Sequence, residues 1–193
     1  MRQPPCPATP STWSSQATRQ TQGGIESTVA DVVSALDHLD ILVNGAGRVV
    51  QGTVEQIDLG SYREMMATHV DGMIYTSRAA LTHLRNRRGC IINIGSVSGL
   101  RGDWSQAAYN AAEGAITNLT RSMALDHGHE IRVNSVRPGA IITDAITEQA
   151  FANGSPIAAA WNARIPMGRV ARPRRRRRRG DVPRRRGDVP RRR

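Results

Sequence analysis

Asp40-Ile41-Leu42-Val43-Asn44-Gly45-Ala46-Gly47 is a short apolar run closed by a glycine turn, and Cys90-Ile91-Ile92-Asn93-Ile94-Gly95-Ser96 is a second run of the same kind. Each is too short for a buried helix and carries apolar residues on both faces, which reads as a strand covered on two sides in a parallel sheet. Working outward, Ile25, Val29, Val32, Val33 and Leu36 fall at helical spacing before the first run. Between the runs, Tyr62, Met65, Met66, Val70, Met73, Ile74, Leu81 and Leu84 form one side of a long helix that ends near Arg88-Gly89. After the second run, Ala108, Ala112, Ala115, Ile116, Leu119 and Met123 mark a third helix, and Ile131 to Val136 a third strand closed by Pro138-Gly139. Strands alternating with helices indicate an α/β fold with a parallel sheet. Right-handed crossovers that advance in one direction place the helices at 25–38, 61–88 and 106–126 on one face, leaving the other face and an edge of the sheet open.

The remaining sequence does not belong to this pattern. The chain has 193 residues and a formal charge of +11, which suggests a nucleic-acid binder, but residues 174–193 hold twelve Arg against two Asp. Residues 1–173, with fifteen Arg and fourteen acids, are nearly neutral. The tail repeats Arg-Arg-Arg-Gly-Asp-Val-Pro from Arg177 and again from Arg184, a low-complexity run with no means of burying a core. It reads as a repeat expansion or frame change. The alternative is a non-catalytic binding protein that uses the Arg-rich tail on nucleic acid or anionic surfaces. Residues 1–24, rich in Pro, Ser, Thr and Gln, read as a disordered leader, and 140–168 as a short helical excursion. No run approaches a membrane span and no signal peptide is evident, so a cytoplasmic protein is expected. Cys6 and Cys90 make neither a disulfide framework nor a metal site. The chain contains no lysine at all.

Ser96 follows the second strand and Tyr109 opens the third helix. Hydroxyls at the carboxyl ends of parallel strands lie where an open α/β sheet binds its ligands. A serine there can hydrogen-bond a carbonyl or alcohol oxygen while a tyrosine exchanges its proton.

With these residues in place, the chain resembles the short-chain dehydrogenase/reductases. Residues 39–47 are similar to that family's strand with its Asn-Asn-Ala-Gly turn, and Ile91 to Ser96 to the strand bearing the catalytic serine. Tyr109-Asn110-Ala111-Ala112 is similar to the start of the Tyr-x-x-x-Lys helix, and Arg132 to Gly139 to the Pro-Gly strand. The resemblance covers residues 25–173 and implies a partial Rossmann-like three-layer fold, lacking its first strands and its last. The stretch Gly102-Asp103-Trp104 through Leu125 to Gly128 is similar to acetoin reductases and 2,3-butanediol dehydrogenases. The implied activity is hydride transfer between NAD or NADP and a small-molecule alcohol or ketone, in a homo-oligomer built along the long helix. Tyr109 would be the acid/base, Ser96 would orient the reacting oxygen, and Asn44, Ala46, Gly47, Pro138, Gly139, Ile141 and Thr143 would contact the cofactor. Residues 144–165 would form a lid, with Trp104 and Trp161 as pocket walls.

The chain departs from that pattern at decisive positions. The family's lysine, one helical turn beyond the tyrosine, lowers the phenol pKa and holds the nicotinamide ribose; here the position is Glu113. At about 5 Å and an effective dielectric of 20, reversing the charge opposes ionisation by up to about 6 kcal/mol, around four pKa units. The family's active-site asparagine aligns with His69, and the second asparagine of the turn is Gly45. Thr21 to Ile25 resembles a glycine-rich cofactor turn, but no strand precedes it and only 19 residues separate Gly24 from Asn44, so the reading is rejected. An inactive or nearly inactive copy is expected, or a pseudoenzyme that pairs with a full-length relative.

Overall fold

A computed structural model describes residues 21–143, 151–152 and 155–173 of the chain. Residues 1–20 of the expected leader, residues 144–150 and 153–154 of the expected lid, and the whole Arg-rich tail lie outside the described residues. The chain divides into two compact units, Met1–Pro138 and Gly139–Arg193, where the sequence suggests one domain over 25–173.

In the first unit, helix α1 (Gln22–Leu36) leads to strand β1 (Ile41–Asn44). Helix α2 (Leu59–Met66) continues through a π-helical turn (Ala67–Asp71) into α3 (Gly72–Arg87). Then come β2 (Cys90–Ile94), a 3-10 turn (Val97–Gly99), α4 (Ala107–His127) and β3 (Arg132–Val136). The leader boundary at 24 is corrected: the Thr21 hydroxyl accepts the Gly24 N–H at 3.3 Å and caps α1, so Gly23 and Gly24 form its first turn and not a cofactor loop. The long central helix is likewise interrupted at residues 67–71, where five residues widen one turn.

The sheet is parallel in the order β1-β2-β3, with Leu42 paired to Ile91 and Ile91 to Val133. Those three side chains share the face onto which Ala80 and Leu84 of α3 and Met123 of α4 pack, and Val29 of α1 closes the cluster from the side. The expected one-sided arrangement of helices is therefore present. On the opposite face Ile41 and Val43 are 55% and 57% exposed, and Ile94 and Val136 are also exposed. β1 has no partner on its outer edge among the described residues.

A polar chain runs beneath the carboxyl ends of the strands. Asn44 Nδ2 donates to Asn93 Oδ1 at 3.0 Å, and Asn93 Nδ2 donates to Thr120 Oγ1 at 3.0 Å. Asn44 also accepts from Thr76 at 2.7 Å and donates to Ser77 at 3.2 Å. The network ties β1 and β2 to α3 and α4, and Asn93 at its centre is fully buried.

The second unit contains α5 (Pro156–Arg164), capped by Ser155, whose hydroxyl accepts from Ile157 N. Asn162 accepts the Val170 N–H at 2.9 Å, and Ile141 forms a parallel bridge with Ala171. A helical excursion without a further strand is what the sequence suggests for this region. Among the described residues no helix is long and apolar enough to cross a membrane, no cluster of metal ligands occurs, and Cys90 is a buried free thiol.

Two outcomes follow. Asn93→Leu should destabilise the protein by about 2 kcal/mol in urea unfolding, because it removes the hydrogen bonds that Asn93 makes to Asn44 and to the buried Thr120 hydroxyl in the interior. The pair Ile41→Glu and Val43→Glu should reduce light scattering on concentration while leaving the urea midpoint nearly unchanged, since both side chains face solvent on an open edge strand.

Candidate active site

Parallel pairing brings the ends of all three strands to one side of the first unit, and the loops that leave them carry the polar groups. Ser96 leaves β2 and caps the 3-10 turn, its hydroxyl accepting from Ser98 N at 3.1 Å. That turn lies directly on α4, where a Cβ on Gly99 would collide with the Glu113 carbonyl and with Thr117. Only glycine allows this approach. It sets the Ser96 hydroxyl beside Tyr109, the third residue of α4.

Glu113 follows Tyr109 by one turn of α4 and faces the same way. Its carboxylate is 3% exposed and sits against His69, which is 4% exposed, with Oε1 3.2 Å from Nδ1. The π-helical turn aims the imidazole inward. Its Nε2 lies 2.8 Å from both the N–H and the carbonyl of Arg48, and its ring fills the space over Gly47, where a Cβ would come within 2.9 Å of Cε1. The ring also meets Tyr109 edge to face, centroids 5.8 Å apart. His69 Nδ1 and Glu113 Oε2 have no hydrogen-bond partner, so the two side chains lie in contact without a hydrogen bond between them. Two positions that depart from the family pattern separately in sequence are therefore one contact in space.

The Ser96 hydroxyl and the Glu113 carboxylate both interact with the Tyr109 phenol. Burial, first of all, raises the phenol pKa above its ordinary 10.0; the Ser96 hydroxyl lowers it, and the charge of Glu113 and its hydrogen-bonding interaction raise it further. The direction agrees with the expectation from sequence. The ranking does not, because burial of the phenol, which residue identity does not encode, is the larger cause.

The other expected site residues have varied placements. Asn44 is engaged in the polar chain under the sheet, and Ala46 and Gly47 form the turn after β1. The Pro138 carbonyl accepts the Val97 N–H at 3.2 Å. Gly139, Ile141 and Thr143 belong to the second unit. Trp104 is 87% exposed on the loop before α4, and Trp161 packs in the second unit against Phe151 and Arg164. A void lined by Leu42, Asn44, Ala46, His69 and Met73 opens along the free edge of β1. Sequence reasoning missed Ser98 and Asp103. Ser98 Oγ accepts from Ser96 at 3.2 Å and donates to Asp103 Oδ2 at 2.5 Å. The only signal was the Ser-x-Ser spacing, which is common in turns.

Comparison with known proteins gives the family and the fold. The family described as enoyl-(acyl carrier protein) reductase matches residues 17–176. The meso-2,3-butanediol dehydrogenase of Serratia marcescens is 42% identical over 77% of the chain and 58% of its own length. A protein of Xanthobacter autotrophicus named inactive 2-(S)-hydroxypropyl-CoM dehydrogenase 2 is 38% identical over 83% of the chain and 72% of its own length. Among solved structures, NAD+-bound xylitol dehydrogenase superposes with a TM-score of 0.71 at 27% identity, covering 79% of this chain and 65% of that one. The chain thus spans less than two thirds of several relatives it matches, the Serratia enzyme among them.

The raised Tyr109 pKa has a pH signature. A proton held more tightly in the folded state stabilises it fully below the unfolded value of 10.0, and that contribution is lost as pH rises through the folded value. Tyr109→Phe should therefore flatten the fall in urea stability above about pH 10. Glu113→Gln should move the ionisation of Tyr109 to lower pH in a spectrophotometric titration, with the Tyr109→Phe difference assigning the signal.

Proposed function

Because this chain belongs to the short-chain dehydrogenase/reductase family, we propose that it is an alcohol/ketone oxidoreductase scaffold in which turnover is very low or nil. The observation that carries this reading is the buried Glu113 carboxylate beside the Tyr109 phenol, at the position where the family places a lysine.

The chemistry can be followed through the proton alone. Ser96 and Tyr109 together offer two hydroxyls to a carbonyl or alcohol oxygen. Oxidation of an alcohol needs a phenolate at Tyr109 to take its proton, and burial with Glu113 keeps the phenol protonated near neutral pH. Reduction of a ketone needs the phenol to release its proton to the oxygen, which leaves a phenolate next to a carboxylate in a desolvated site. Both directions are opposed by the same pair.

The residues present also do not fit a nicotinamide ribose in the manner of the family. An ammonium could donate to ribose hydroxyls there, whereas the Glu113 carboxylate only accepts, is almost wholly buried and turns toward His69 and Gly95. By similarity to the Serratia enzyme, the substrate class this scaffold would take is a small vicinal diol or hydroxyketone.

The test follows NADH and NADPH absorbance with purified protein and acetoin, and the reverse reaction with 2,3-butanediol. The expected rate does not exceed that of cofactor with protein alone. Saturable, substrate-dependent turnover at about 1 s⁻¹ or faster would reject the reading.

A further inference from the structure

The second unit holds a cavity of about 610 Å³, and all of its lining residues fall between Ile142 and Pro173. That volume is within the range of pockets that take small molecules. Its apolar walls include Ile142, Phe151, Ala158 and Val170, and Arg169 and Arg172 stand among them. Among the described residues no acidic side chain lines it. The cavity therefore combines an apolar interior with two cations that no carboxylate in its wall offsets.

The main chain builds this arrangement. Gly168, at φ 66°, turns the backbone after α5, and its N–H donates to the Ile165 carbonyl at 2.7 Å. The returning segment is fastened to α5 by Asn162, whose Oδ1 accepts the Val170 N–H at 2.9 Å. On its other side the Ile142 N–H donates to the Ala171 carbonyl at 3.0 Å, and the Ala171 N–H donates to the Ala140 carbonyl at 3.1 Å. Val170 and Ile142 are buried as a result, while Phe151 packs edge to face with Trp161. Arg164 lies over the Trp161 ring. Arg169, by contrast, is exposed and has no hydrogen bond or ion pair among the described residues.

We propose that this cavity binds an amphipathic anion, a short apolar chain ending in one acid group, with the chain against Ile142, Phe151 and Val170 and the acid group at Arg169 and Arg172. Apolar walls alone would accept any hydrophobic molecule, and exposed arginines alone any anion. Their juxtaposition selects a molecule that has both parts. A guanidinium presents a fork of N–H donors that matches an acid group through two parallel hydrogen bonds. An anion placed there also relieves the mutual repulsion of two like charges. The site needs neither Ser96 nor Tyr109, so it stands whether or not the chain turns over an alcohol or ketone.

The test uses the full chain carrying Trp13→Phe and Trp104→Phe, which leaves Trp161, beside Phe151, as its one tryptophan. Octanoate should change the Trp161 emission saturably, with half-saturation at or below about 1 mM. Octanol, which lacks the acid group, and acetate, which lacks the chain, should each bind at least about tenfold more weakly. Arg169→Ala should weaken octanoate binding about fivefold or more. Ala159→Phe, which fills the cavity from α5, should abolish the response. The Arg-rich tail is present in every variant, so an anion held by the tail is lost in none of them. Octanol or acetate binding as tightly as octanoate, an affinity that Arg169→Ala leaves unchanged, or no saturable response at all would overturn the proposal. If Ala159→Phe does not fold, the three-ligand comparison on the unfilled cavity decides the matter.

Discussion

The turn after β2 lies so close to α4 that Gly99 has room for a hydrogen and nothing larger, and the geometry of the site depends on that approach. The contact sets the Ser96 hydroxyl next to Tyr109, holds Ser98 over the same helix and leaves the Glu113 side chain buried under the turn. Glycine is required here for proximity and not for an unusual backbone angle. Beneath it, the chain from Asn44 through Asn93 to Thr120 fastens two strand ends to two helices, so the platform that carries the turn is rigid.

A buried carboxylate is costly unless paired. Glu113 lies against His69, and His69 is in turn held by the Arg48 main chain and by the empty side of Gly47. Four positions therefore depend on one another: a lysine at 113 would face an imidazole at 3.2 Å, and an asparagine at 69 would leave a carboxylate alone in the interior. The carboxylate reaches the phenol from the position where the family has a cation. The raised pKa of Tyr109 follows first from burial and then from Glu113.

The fold was largely legible in the sequence. Ile41 to Val43, Ile91 to Ile94 and Ile131 to Val136 are short apolar runs between helical periods, and parallel strands with crossover helices are nearly the only way to bury them. The exposure of Ile41 and Val43 follows from the same argument, since all described crossovers share one face. The wide turn at Ala67–Asp71 was not legible, because residues 62–84 keep an ordinary helical spacing on either side of it. Nor was the start of α1 at Gln22, where two glycines mask a Thr21 cap.

The amino-acid order by itself determined the α/β class, the pairing of Ser96 with Tyr109 and the presence of an acid in place of a lysine, because periodicity, motif spacing and residue identity are local properties of the chain. Only the tertiary structure decided that Glu113 and His69, 44 positions apart, form one buried contact, that desolvation outranks charge at Tyr109, and that Ser98 leads onward to Asp103. Those outcomes depend on distances and solvent exclusion created when α4, the π-helical turn and the Gly99 turn pack together, and no spacing along the chain encodes them directly.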